Sequence, residues 1–354
     1  METRRDILKR LALGLGVAAC GAGRLFGQPG DRAGYAAIET SSRTGLSQAR
    51  FFSASGTSIG TAPLDFRAHG LSQSGRRLVV FPRRPGNRFA VMDAVTLEIL
   101  VQVTAPPHRH FYGHGAFSVD GQHLIVTEND LDTLDGGLGI YDALNGFRRL
   151  GQIALPGSGP HEIMRDRDRN TFYIALGGLQ THPDYGRTAL NLDDFRSQIV
   201  VLDHDRGTLA PMGYWSGSEG VSLRHLSVDG AGSLYIGGQL ANASRGDGNA
   251  VLWRCEDGAA VALNEGSLLG SYVSSLASFG ERTVVTSKAS NTVIELSGGT
   301  LASHTSLTGA SAAAVSADGS IASGYSVLRL NGSDIAVTDR FEFDNHGLHL
   351  RATT

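Results

Sequence analysis

The sequence has little cysteine, no long apolar run and almost no excess of charge. Cys20 and Cys255 are the only cysteines among 354 residues. If the N-terminal segment is cleaved, Cys255 stands alone and no internal disulfide can form; an oxidising compartment is compatible with that but does not require a bridge. The formal net charge of −3 argues against a nucleic-acid surface. The apolar stretch from Leu11 to Gly23 falls short of the roughly 20 residues that a membrane-spanning helix needs. Beyond it no amphipathic helical pattern exceeds two turns. Several chemical signatures are missing as well. No Gly-x-Ser-x-Gly elbow precedes a helix, and no dinucleotide or phosphate-loop glycine pattern follows a strand. There is no Cys-x-x-Cys-His for covalent haem. LDTLDGG, residues 131–137, lacks the spacing of a helix–loop–helix calcium site.

Glycine, by contrast, is plentiful at 47 residues, and it clusters with Ser, Thr, Asp and Asn at short intervals. That pattern suits many short strands joined by tight turns. The N-terminus reads METRRDILKRLALGLGVAACGAGRLFGQ. Arg4-Arg5 with Ile7 and Lys9, followed by a weakly apolar stretch, fits a twin-arginine export signal over residues 1–28. Residues 29–354 then form one mature domain working in the periplasm. Val17-Ala18-Ala19-Cys20 also fits a loose lipobox, and acylation of Cys20 would be the one route to a membrane. Cleavage would move the net charge from −3 to −6, because five basic and two acidic residues leave.

A repeat organises the rest. A His, a few small or apolar residues, a turn and a β-rich run recur at His69, His114, His161, His225 and His346. Two further copies carry Ser275 and Ala312 at the anchor. The spacings of 45, 47, 64, 50, 37 and 34 average about 46 residues, near the blade period of a β-propeller. Turns such as Asp120-Gly121, Asn145-Gly146, Asp229-Gly230 and Asp318-Gly319 separate short alternating strands. His346 begins a strand only eight residues from the end, whereas residues 35–66 have strand character and no anchor. The two ends therefore complete one blade, which closes the ring and removes an open edge. The expectation is an all-β, seven-bladed propeller; six blades result if the fifth and sixth copies merge. A pair of β-sandwiches is the competing architecture. The spacing of 64 holds an insertion, residues 177–197, with His182, Asp184, Tyr185, Arg187, Asp193 and Asp194. So long a segment is either a plain surface flap or a functional loop.

Taken together, HFYGHGAFSVDG, TEND at 127–130, the GPHE word around His161, THPDYGRTALNLD at 181–193, SLRHLSVDG at 222–230 and DNH at 344–346 resemble a bacterial family catalogued as domain of unknown function 1513. The resemblance runs from about residue 35 to His346 and thins over residues 240–340. It implies an exported seven-bladed propeller. Genes of such proteins often sit beside those of imelysin-like proteins of periplasmic iron acquisition, so it also implies partners in iron uptake and a role near iron or haem. GPHE before a strand is also similar to a short word of lactonase-type propellers.

The innermost strand of each propeller blade lines the central channel. Equivalent anchors thus place His69, His114, His161, His225 and His346 around one axis. Five imidazoles there suit iron, copper or zinc, or the edge of a haem. Glu162 and Glu128 could add a carboxylate ligand or orient a ring N–H. Arg224 could meet an anionic group such as a haem propionate. The plainer reading makes each His a pin between blades, with Gly113 and Gly115 serving a tight inter-blade turn. Three functions are compatible with the pattern. The favoured one is a non-catalytic periplasmic propeller binding a metal ion or haem for iron acquisition. The others are a lactonase-like hydrolase or metal-dependent oxidoreductase using the same residues, and a protein-interaction scaffold with structural histidines.

Overall fold

In the computed structural model, the residues described are 33–186, 188–212, 219–245, 250–256, 259–336 and 341–351. The segment read as an export signal, with Cys20, lies outside them, and so does Arg187 of the insertion. They form seven four-stranded antiparallel sheets arranged as a propeller. The inner strands of blades 1 to 6 are Ala68–Ser74, Arg109–Phe117, Pro160–Arg165, Val221–Val228, Ser275–Phe279 and Ala313–Val315. Blade 7 takes its inner strand, Phe341–His349, from the C-terminal end and its other three, Tyr35–Ser41, Ser47–Phe52 and Ser58–Pro63, from the N-terminal end. Tyr35 pairs with His349 and Ala36 with Leu348 in that closing ladder. The fifth and sixth copies stay separate, so the count is seven. The closing strand starts at Phe341, five residues before His346, and runs further back than the repeat suggested. No helix among the described residues is long and apolar enough to cross a membrane.

Burial falls from the axis outwards. The inner strand of blade 2 is buried along almost its whole length. The outermost strand of the same blade, Arg148–Ala154, alternates exposed and half-buried positions. Apolar side chains fill the wedges between neighbouring blades. Phe89 of blade 1, fully buried, lies 5.1 Å from Phe111 of blade 2 and 5.5 Å from Tyr141. Each such ring contributes about 1.5–3 kcal/mol by leaving water. These wedges fix the angle between blades and hence the width of the channel.

The inner strands divide into two kinds. In blades 1, 2, 3, 4 and 7 the ladder to the second strand slips near the histidine. Register shifts fall between Ala68 and Leu71, Phe111 and Gly115, Pro160 and Glu162, and Leu223 and His225. In blade 7 the run from Phe343 to Gly347 faces only Ala37–Glu39. Blades 5 and 6, which carry Ser275 and Ala312 instead of His, pair without a shift. A bulge puts extra residues on one strand and re-aims the side chains there.

Candidate metal centre in the channel

The five bulged strands bring all five anchor histidines into one chamber. Ring centroids lie 4.5 Å apart for His114 and His346, 4.6 Å for His69 and His346, and 5.0 Å for His69 and His114. His161 is 5.1 Å from His225 and 5.2 Å from His114, and His225 is 5.0 Å from His346. All five are buried. One ligating nitrogen from each of His69, His114 and His346 lies within 4.8 Å of the other two. Gly113 adopts φ of 118°, and a Cβ on it would sit 2.9 Å from His69 Cδ2. A Cβ on Gly70 would stand 2.3 Å from the Gly113 carbonyl oxygen. These glycines serve close backbone packing inside the bulges, not a turn between blades.

Two buried carboxylates fix the rings. His69 Nδ1–H donates to Asp344 Oδ1 at 2.9 Å, and the Arg83 guanidinium donates to Asp344 Oδ2 at 3.1 Å. His225 Nδ1–H donates to Glu162 Oε2 at 3.1 Å, and the Leu226 N–H donates to the same oxygen at 3.2 Å. Glu162 Oε1 lies 3.6 Å from His114 Nδ1. With Nδ1 protonated, Nε2 keeps its lone pair, the usual arrangement of a metal-ligating His held by a carboxylate. His114 Nε2, His161 Nδ1, His225 Nε2 and His346 Nε2 are buried and have no hydrogen-bond partner.

Burial governs the protonation of this chamber. It drives His114, His161, His225 and His346 well below the ordinary imidazole range, and neighbouring His or Arg charges push the same way. His69 is lowered by burial too, although its bond to Asp344 opposes this. Burial would raise the Asp344 carboxyl, but His69 and Arg83 overcome it and hold the group well below its usual range. Glu162 has weaker support, and burial pushes it up to about 8. The histidines are thus neutral near pH 7, in the form that binds metals.

The remaining residues expected at the site divide. Glu162 joins it. Arg224, buried beside His225, lowers both His161 and His225 through its charge. Glu128 does not join. It lies on the second strand of blade 2, where Tyr141 Oη–H donates to its Oε1 at 2.9 Å and Arg149 Nη2 to its Oε2 at 3.0 Å. The even alternation along TEND gives no sign that this carboxylate points between blades. Asp344 and Arg83 were missed. The DNH word held a clue for Asp344, because residues two apart on a strand share a face.

The 177–197 insertion joins the second and third strands of blade 3. It ties to itself through Asn191, whose amide donates to the Gly178 carbonyl at 2.9 Å and whose Oδ1 accepts from the Gln180 N–H at 2.8 Å. His182 caps the short 3-10 turn Pro183–Tyr185.

A family model described as protein of unknown function (DUF1513) matches residues 62–350. The chain belongs to the DUF1513 family. No curated protein matches it. Among solved structures, a hydrazine synthase chain from Kuenenia stuttgartiensis is similar at 13% identity with a TM-score of 0.59, covering 85% of this chain and 95% of that one. At that identity the likeness speaks for the propeller fold of this DUF1513 protein alone.

Proposed function

We propose that this DUF1513 protein is a binding protein for one first-row transition-metal ion, held in the channel by His69, His114 and His346 with His161 and His225 beside them. The observation that carries this reading is the set of four buried, partnerless ring nitrogens in a single chamber. A buried polar atom without a partner costs about 1–3 kcal/mol. Histidines serving only as pins between blades would spend both nitrogens on protein groups, and these do not. An ion held there gives the His114 and His346 nitrogens the partner they lack, with those of His161 and His225 beside it. All-nitrogen donors of borderline softness suit copper, iron or zinc. Donors up to 4.8 Å apart stand up to about 2.8 Å from their common centre, so metal–nitrogen bonds of about 2.0–2.1 Å require them to close inward by up to about 0.7 Å. The Asp344 carboxylate and the Glu162 carboxyl group orient the rings.

Ring separations of 4.5–6.5 Å leave space for an ion and none for a porphyrin between the rings, which favours the ion over haem. Export by the Arg4-Arg5 signal and a place in iron acquisition beside periplasmic uptake proteins fit this reading. Both rest on the N-terminal sequence and on the family resemblance. The chemistry of the chamber is that of binding: its imidazoles are buried and neutral near pH 7, and four of their nitrogens have no protein partner.

Protein folded and exported in its own host, analysed for total metal, is expected to carry close to one ion per chain. The double variant His114→Ala/His346→Ala should lose it, and Asp344→Asn should weaken retention about 10–100-fold, as loss of a ring-orienting carboxylate does elsewhere. A wild-type chain that stays metal-free after exposure to copper, iron and zinc would remove this function.

A further inference from the structure

The ring of histidines is incomplete. Blades 5 and 6 carry Ser275 and Ala312 at the anchors where the others carry imidazoles, and the small side chains of Ser275 and Ala314 on the channel wall leave a void. A hollow of about 560 Å³ occupies it, reached along the direction in which the inner strands run past their histidines. His114, Glu162 and His346 line its floor. A second hollow of about 550 Å³ lies toward the other end of the same strands, lined by Asp344, Arg83 and Lys288. It reaches no histidine.

The wall of the first hollow combines Leu71, Met164, Leu276, Val315 and Leu348 with a rim bearing Arg165, Arg167 and Arg351. Leu71, Met164 and Leu348 are only half-buried, so apolar surface faces the void. Asp168 and Asp229 also reach it. Asp229 is already engaged, since its Oδ1 accepts from the Ala231 and Ser233 N–H groups and Arg254 lies 3.8 Å from Oδ2. Three guanidinium groups, of which Arg165 also donates to the Asp166, Arg167 and Arg169 carbonyls, stand against Asp168 and the engaged Asp229, which leaves the mouth a modest positive bias. The volume falls in the range of a small-molecule site, and its wall is polar and apolar in about equal measure.

We propose that this hollow admits a small organic anion, a carboxylate on an apolar body, which bonds the channel ion as an exogenous ligand from the side of blades 5 and 6. This rests on the metal reading. The ion and the arginine rim attract the carboxylate, and Leu71, Met164 and Leu348 cover the hydrocarbon. Selectivity for a larger apolar body over a bare carboxylate follows, because only the larger one buries against the wall.

The test uses copper(II)-loaded full-length protein, with electron paramagnetic resonance as readout and benzoate and acetate as probes. Benzoate should shift the copper signal at a concentration at least tenfold lower than acetate. Leu348→Trp and, separately, Met164→Trp should keep one copper per chain and lose the benzoate shift. A protein that takes no copper defeats the metal reading itself, and this inference with it. One that binds copper with a spectrum indifferent to benzoate overturns this inference alone. So does a shift of equal strength with acetate that survives both tryptophan variants, since the hollow would then have no part in it.

Discussion

Blades 1–4 and 7 differ from blades 5 and 6 at the axis in two ways that go together. The first group places a histidine in the chamber and breaks register beside it. The second places Ser275 and Ala312 at the anchors and pairs without a slip. A regular antiparallel ladder would alternate these positions between the two faces of the sheet, each of which packs against a neighbouring blade. The bulge turns the imidazole out of that packing and into the channel. Each slip gives up ladder regularity and, at Gly70 and Gly113, demands a residue without a side chain. Five such departures clustered around one point, and none in the inner ladders of the two blades that lack His, mark the chamber as the part of the fold that the ring supports at a cost in local regularity.

The largest effect expected from this contrast is on the acid limb of stability in the metal-free protein. The five imidazoles have folded-state values below the ordinary 6.5, so below about pH 6.5 the unfolded chain binds more protons than the folded one. Stability therefore falls as pH drops through that range, by about 1.4 kcal/mol for each unit of pH per group that titrates only on unfolding. Glu162 acts in the opposite sense. Its folded value of about 8 lies above the unfolded one, so the folded state binds the extra proton and stability declines as pH rises from about 4.5 to 8. Several histidines outweigh one glutamate, so the chamber's contribution peaks near pH 6.5. Denaturant unfolding of metal-free protein across pH 4.5–8 measures this. A flat profile below 6.5 would mean that the rings meet solvent. Replacing His114 and His225 by Gln should flatten the acid limb, whereas substitution at Ser275 should leave its slope alone.

Next in size is the backbone demand of the bulges. Gly70→Ala drives a Cβ against the Gly113 carbonyl, a backbone atom that cannot rotate away. The expected loss is about 3 kcal/mol, the upper part of the range for overpacking, read as a lower denaturation midpoint with an unchanged slope. The same insertion at Gly151, on the outermost strand of blade 2, meets nothing within 4 Å and should be tolerated. Equal tolerance at both positions would show that the slip near His69 is loose and that the chamber is not rigidly held.

These features also explain how far the sequence could be read. Glycine punctuation and the recurring anchor were enough for the propeller, for seven blades and for the shared closing blade, because turn chemistry and period survive in single residues such as Asp229-Gly230. The five histidines converge as the spacing implied. What stayed illegible was what the bulges alter and which buried charges pair. Extra residues in FEFDNHGL break the two-residue period around Asp344, whereas Glu128 sits on an evenly alternating strand and Arg83 just past one, with nothing in the sequence to mark their partners. Glu128 turned to Arg149 and Tyr141, and Asp344 to His69. Arg83 opens the Arg83-Arg84 pair between Pro82 and Pro85, with no pattern that marks it as a partner of a carboxylate 261 residues away.

The smallest effect belongs to the regular blades, and it sharpens the contrast from their side. Ser275 is buried, and its hydroxyl accepts from the Ala313 N–H at 3.3 Å, which joins blade 5 to blade 6. Ser275→Ala leaves that backbone donor without its partner, at about 1 kcal/mol. The variant should unfold slightly earlier while its metal content and the pH dependence of its stability match the parent. The anchor of blade 5 is then a pin between blades, the role that the histidines would share had their nitrogens found protein partners. If Ser275→Ala instead strips the metal, the ring of ligands extends into the regular blades. The division of the propeller into five liganding sectors and two plain ones would then fail.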